Sequence, residues 1–193
     1  MAVAPQLPEG TRVSIAEQIG RLLPASDVAE QSFLVDAPLE LAESLPVVAL
    51  PLEAIQRGGG TALSEAVQFT GRWHHQVAAG EGFVAARSVD HGAEHDVVEV
   101  AASPIPMALA RTIRWVDENL PGDPLAVMLL VPDYYTTAIL LRSDAGDQVV
   151  VSERPDRLAE IRTETVYEGR EFIALLRRYP PSAGIPDDGR PRG

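Results

Sequence analysis

Leu125-Ala126-Val127-Met128-Leu129-Leu130-Val131 is an unbroken apolar run between two turn signals, Pro121-Gly122-Asp123-Pro124 before it and Pro132-Asp133 after it. A run this short with no polar position reads as a strand buried on both faces. It is far too short to span a bilayer as a helix. After the Pro132-Asp133 turn, Tyr135–Arg142 reads as a second strand. Asp144-Ala145-Gly146-Asp147 turns the chain again into Gln148–Ser152. These three strands form an antiparallel meander, because the links between them are too short for a crossover.

Working upstream, Ser103 caps a helix and Pro104 takes its first position. Ile105, Leu109, Ile113, Val116 and Leu120 share a narrow arc, with Arg111, Arg114 and Glu118 opposite. Before it, Arg72–Val77, Phe83–Val89 and Val97–Ala101 read as a second set of three strands. Ala79-Gly80-Glu81-Gly82 and Asp90–Asp96 are their connections. Further upstream, Ser14-Ile15-Ala16-Glu17 has the form of a capping box. The helix it starts carries Ile15, Ile19, Leu22 and Leu23 on one face and stops at Pro24. Gln31–Asp36 reads as a short strand. Pro38-Leu39-Glu40 and Pro51-Leu52-Glu53 each read as the start of a short helix. Thr61 caps a helix over Ala62–Phe69. Downstream of the meander, Glu168–Arg178 is a helix with Phe172, Leu175, Leu176 and Tyr179 on one face, ended by Pro180-Pro181.

The order α-βββ-α-βββ-α predicts an α+β fold with a largely antiparallel sheet. Residues 1–60 read as an N-terminal helical and irregular segment packed on the main domain. Residues 61–181 form that α+β domain, and residues 182–193 read as a disordered tail. The order of elements resembles that of type III secretion chaperone-like domains, which are also small and acidic. The resemblance implies a chaperone-like, partner-binding role.

Composition removes several kinds of chemistry. The chain has 193 residues and no cysteine. Disulfides, thiolate nucleophiles and Cys-based metal sites are therefore excluded. All 16 cationic Lys or Arg side chains are Arg, which excludes Schiff-base chemistry and the lysine of a phosphate-binding loop. The net charge of −12 opposes binding to nucleic acid or to an anionic membrane. Met1–Gly10 lacks the basic and apolar regions of a secretory leader, so the cytoplasm is the expected compartment.

The candidate sites are few. His91-Gly92-Ala93-Glu94-His95 has the H-x-x-E-H spacing that, on a helix, aims two imidazoles at one metal. Strand-like runs flank it here and Gly92 interrupts it, so it reads as a hairpin loop. His91, Glu94 and His95, with His74 as a further ligand, are the candidates for a metal-dependent hydrolase, and no metal is expected. His74 and His75, in Arg72-Trp73-His74-His75, point to opposite faces if the segment is a strand. Gly58-Gly59-Gly60-Thr61 lacks the rest of a phosphate-binding motif and reads as a helix stop. Asp133, Tyr134 and Tyr135, at a hairpin tip, are the candidates for partner contact. The leading expectation is a non-catalytic protein-binding or regulatory module with no cofactor. Its partner is another protein, and a homodimer is compatible with the sequence. The alternatives are the metal-dependent hydrolase and a small-molecule-binding protein with a pocket between the sheet and the Ser103–Asn119 helix.

Overall fold

In the computed structural model of the chain, residues 7–26, 39–57, 62–79, 82–92, 94–101 and 104–182 are described. Helix α1 spans Glu9–Leu22 and strand β1 spans Leu39–Ala49. Two short helices follow, α2 at Leu52–Arg57 and α3 at Leu63–Ala66. Strands β2 (Gln68–Ala79), β3 (Gly82–Asp90) and β4 (His95–Ala101) lead into helix α4, Pro104–Asn119. Strands β5 (Leu125–Val131), β6 (Thr136–Ser143), β7 (Gly146–Glu153) and β8 (Val166–Glu168) precede helix α5, Gly169–Leu176. The eight strands form one sheet in the order β4-β3-β2-β1-β5-β6-β7-β8. The fold is thus the α+β, mostly antiparallel class that the sequence predicts. Each meander gains a strand, β1 in the first and β8 in the second.

Of the helix start expected at Pro38-Leu39-Glu40, Pro38 lies outside the described residues, and Leu39 and Glu40 instead begin β1, which lies in the middle of the sheet. Pro46 interrupts β1, and a proline in a central strand is unusual because it cannot donate to the ladder. It is tolerated here because the parallel β1–β5 ladder begins one residue later, at Val47. The helix over Ala62–Phe69 is cut short for a related reason: Gln68 and Phe69 already belong to β2. Helix α1 begins before the predicted cap. Ser14 therefore lies inside it, where its hydroxyl accepts from Gln18 Nε2 at 3.3 Å. Gln31–Asp36, Thr61 and Ser103 fall outside the described residues, as do 183–193. Ser182 is held on both its amide, which donates to the Asp133 carbonyl at 2.7 Å, and its hydroxyl, which meets Arg157.

Strand alternation sends each buried side chain to one of two faces. On β5, Val127, Leu129 and Val131 pack with Ile55 of α2, Leu63 of α3 and Phe172 of α5. Ala126 and Met128 face the other way, towards Leu109 and Val116 of α4. The strand is buried on both sides, as its unbroken apolar run requires. On the β1–β4 half, Ile15 and Ile19 of α1 cover Leu41, Trp73, Val77 and Val97. Pro46 faces Trp73 across the ladder and stands two residues from Val48, so α1 and α5 share a face of the sheet. Helix α4 has the opposite face, against β3, β6 and β7.

The outer edge at β4 is closed in part by one side chain. The Val97 amide donates to Gln18 Oε1 at 2.9 Å, and Gln18 Nε2 donates to the His95 carbonyl at 2.8 Å. One carboxamide thus pairs two backbone groups as a neighbouring strand would, on an edge where no further strand lies among the described residues. Gln18→Ala leaves both groups unpaired in a partly buried place. It is expected to lower the unfolding free energy by about 1–2 kcal/mol, as measured by urea denaturation. A change within about 0.5 kcal/mol, as at an ordinary surface position, contradicts this role.

Candidate functional site

The four histidines sort by register. Trp73 opposes Ser88, and His75 opposes Ala86, across β2 and β3. His75 and Ser88 are therefore diagonal neighbours on the α1 face, close enough for side chains to meet. His75 Nε2 lies 2.7 Å from Ser88 Oγ, and its Nδ1 lies 2.9 Å from Ser44 Oγ on β1. Ser88 Oγ is also 3.4 Å from Nδ1 of His95, whose ring meets Trp73 edge-on at 5.5 Å. His75 and His95 thus converge on one serine beneath α1. Burial pushes the His75 imidazole down to about 3, with His74 and His95 nearby pushing the same way.

A serine hydroxyl in contact with an imidazole has the form of an activated nucleophile. Access and basicity rule that use out. Ser88 and His75 are each 0% exposed, so no substrate atom reaches them. An imidazole that protonates only near 3 is a weak base at neutral pH. The Ser44–His75–Ser88–His95 group is a satisfied polar network inside the core.

The residues of the H-x-x-E-H string are not brought together. Asp90 accepts from the Gly92 amide at 2.7 Å and from Trp73 Nε1 at 3.2 Å, and the first of these holds its carboxyl below the usual range. Gly92 takes a φ of +88°, which glycine accepts readily. The His91 amide donates to the Glu94 carbonyl at 2.9 Å and closes the turn. His91 and Glu94 are exposed there, and His91 Nε2 sits 3.5 Å from Asp96. His95 turns inward, and His74 stands on the other side of the sheet. At the predicted partner site, Tyr134 is buried, with Arg157 5.7 Å over its ring. Tyr135 is 54% exposed and takes a left-handed backbone, with φ 49°.

His74 leads to a different place. It lines a cavity of about 420 Å³ on the α4 face of the sheet. Val47 and Met128 belong to both the α4 core and this cavity, so it lies beside α4. Its remaining apolar surface comes from Ala85, Ala101 and Leu130. Thr70, Arg72, Arg87, Glu99 and Thr137 supply the polar groups. The lining residues all belong to strands β1–β6.

Two irregularities in the sheet shape this rim. Between Val47 and Val48 the β1–β2 register shifts, and Gly71 takes a φ of +70° in the extra turn of chain. Thr70 Oγ1 donates to the Val47 carbonyl at 2.9 Å and ties the bulge to β1. Between Arg87 and Ser88 the β3–β4 register shifts, which sets Glu99 opposite Arg87 and leaves Val98 unpaired. Arg87 and Glu99 form an ion pair there. The Arg72 guanidinium has no ion pair or hydrogen bond among the described residues. His74 Nε2 is buried without a hydrogen-bond partner among them. Burial, and secondarily the Arg87 charge, push the His74 imidazole down to about 4.

Sequence reasoning singled out His74 but not Arg72, Arg87, Ser44, Ser88 or Gln18. Arg72 was legible in principle, since it stands two residues before His74 and so shares its face. The others depend on register. No protein family, curated protein or solved structure matches this chain.

His74 and His75 make the fold sensitive to acid, and the sign is fixed by their direction of shift. Both are neutral in the fold, whereas in the unfolded chain they protonate near 6.5. Their stability is fully present above pH 6.5. It declines as pH falls towards 4, because the unfolded chain takes up protons that the fold refuses. Between pH 7.5 and 5.0 each histidine is expected to remove about 2 kcal/mol of unfolding free energy. Urea denaturation at the two pH values tests this, and His74→Gln should lose about half the drop. A parent protein equally stable at both pH values contradicts the burial of these imidazoles.

Proposed function

We propose that this protein is a non-catalytic binding module, and that it takes a small ligand in the cavity beside α4. The single observation that carries this reading is the composition of the cavity wall. An apolar floor of Val47, Ala85, Met128 and Leu130 is rimmed by a few polar groups. The volume is at the small end of the range of about 300–1,000 Å³ typical of ligand sites. A titratable group moved far from its ordinary value lies in the wall, as it often does at functional sites. Among the described lining residues no hydroxyl is hydrogen-bonded to a basic side chain, and Thr70 is tied to the Val47 carbonyl, which favours binding over turnover.

A protein partner is the second reading, supported by Tyr135. A large aromatic held exposed at the β5–β6 tip, in a conformation that costs energy for a residue with a Cβ, is suited to contact. The metal-dependent hydrolase has no such support, because His95 turns inward from the turn that exposes His91 and Glu94, and His74 lies on the other face of the sheet. No helix among the described residues is long and apolar enough to cross a membrane.

The cavity reading is tested by nuclear magnetic resonance of methyl-labelled protein with a set of neutral aromatic fragments. The methyls of Val47, Met128 and Leu130 are expected to shift together, and those of Val127 and Val149, on the opposite face, to stay. Ala85→Trp, with Ala101→Leu as a gentler filling, should abolish the shifts while the protein stays folded by circular dichroism. Shifts that persist in both folded variants, or none in the parent, contradict the reading.

A further inference from the structure

We infer that the ligand of this cavity is a small organic acid, with its apolar body on the floor and its carboxylate against Arg72. The inference rests on the cavity being a ligand site and adds the chemical class of the ligand. Its first support is charge. The chain carries a net charge of −12, yet the cavity rim holds two arginines against one glutamate. Arg87 is matched by Glu99 across β3 and β4. Arg72 has no carboxylate partner among the described residues of an acid-rich chain. A planar guanidinium left open at the rim of an apolar cavity presents a fork that a carboxylate accepts in two hydrogen bonds.

The second support is the neutral neighbour of Arg72. His74 follows Arg72 by two residues on the same strand and on the same face, and it lines the same cavity. It is nine-tenths buried or more, and its Nε2 has no hydrogen-bond partner among the described residues. Its imidazole is neutral at ordinary pH, so it adds no second positive charge beside Arg72, and its fully buried Nε2 lies out of a ligand's reach.

The class of acid follows from the same groups. One free guanidinium balances one negative charge. A phosphate carries close to two at neutral pH, and the second would face Glu99 with no cation left to match it. A monocarboxylate suits the rim, and its apolar body suits a floor of Val47, Ala85, Met128 and Leu130. A fully polar acid would leave that floor uncovered and gain little from burial.

The test is a calorimetric titration of the whole protein with 4-phenylbutyrate and, separately, with its neutral amide, 4-phenylbutyramide. The acid is expected to bind about tenfold tighter than the amide or more, as a charge-assisted pair would require. Arg72→Gln should bring the acid to the affinity of the amide and leave the amide unchanged, whereas Arg72→Lys should restore part of the difference. Equal affinity for acid and amide overturns the inference and leaves the cavity reading standing. An equal loss for both in Arg72→Gln also overturns it, since that is a change in the cavity's shape. If neither probe binds and the neutral fragments also fail, the cavity reading itself falls.

Discussion

Three rungs of parallel ladder, between Val47–Ala49 of β1 and Met128–Leu130 of β5, join the two antiparallel halves into one sheet. The Leu50 amide adds a further bond to the Leu130 carbonyl at 2.8 Å. Parallel neighbours cannot be linked by a tight turn, so the chain must cross over. It does so after β4, at the outer edge, and α4 is the crossover. The position of α4 is therefore set by connectivity as much as by its own apolar arc. Leu109 and Val116 settle over Ile139, Leu141 and Val150, on the β5–β7 side. The strands on the β2–β4 side keep a stretch of the same face that α4 does not fill, and the cavity lies there. The candidate site is a consequence of how the two halves are joined.

The adjacent histidines show how strongly a strand separates neighbours. His75 enters the α1 core, where two serine hydroxyls satisfy its ring and burial keeps it neutral. His74 enters the cavity wall, where its Nε2 is unsatisfied. The two residues have the same chemistry and the same direction of shift, yet only His75 has both ring nitrogens hydrogen-bonded. Polar groups that are fully paired inside a core contribute to uniqueness of structure, whereas an unpaired one is a cost the fold carries.

Much of the fold was legible in the sequence where the local signals and the tertiary structure agree. The apolar run at Leu125–Val131 and the turns at Pro132-Asp133 and Asp144–Asp147 define β5–β7 without help from the rest of the chain. The Pro104-led helix is similarly plain. Strand β1 was hidden because Pro38 imitates a helix start and Pro46 imitates a strand breaker. Only the ladder that begins at Val47 explains why Pro46 is tolerated. The H-x-x-E-H string was legible as a hairpin loop because Gly92 and its strand-like flanks outweigh the spacing. The site was mostly illegible. Without the shift between Arg87 and Ser88, Arg87 would not face Glu99, and no spacing in the sequence announces that shift. Ser88 meets His75 and His95 only through the pairing of three strands, and Gln18 meets β4 from a helix far away in sequence.

Both the crossover and the cavity follow from β1 belonging to the middle of the sheet. Native-state hydrogen exchange of individual amides tests this most directly. Core strands exchange only through global unfolding, whereas peripheral segments open locally at lower free energy. The Leu50 amide, bonded to Leu130, is expected to exchange with the same free energy as the amides of Val127 and Leu129 in β5, and this free energy is expected to equal that of global unfolding. Exchange at Leu50 and its β1 neighbours at a clearly lower free energy than in β5 would mean that residues 39–50 dock on a sheet complete without them, and would contradict a central place for β1.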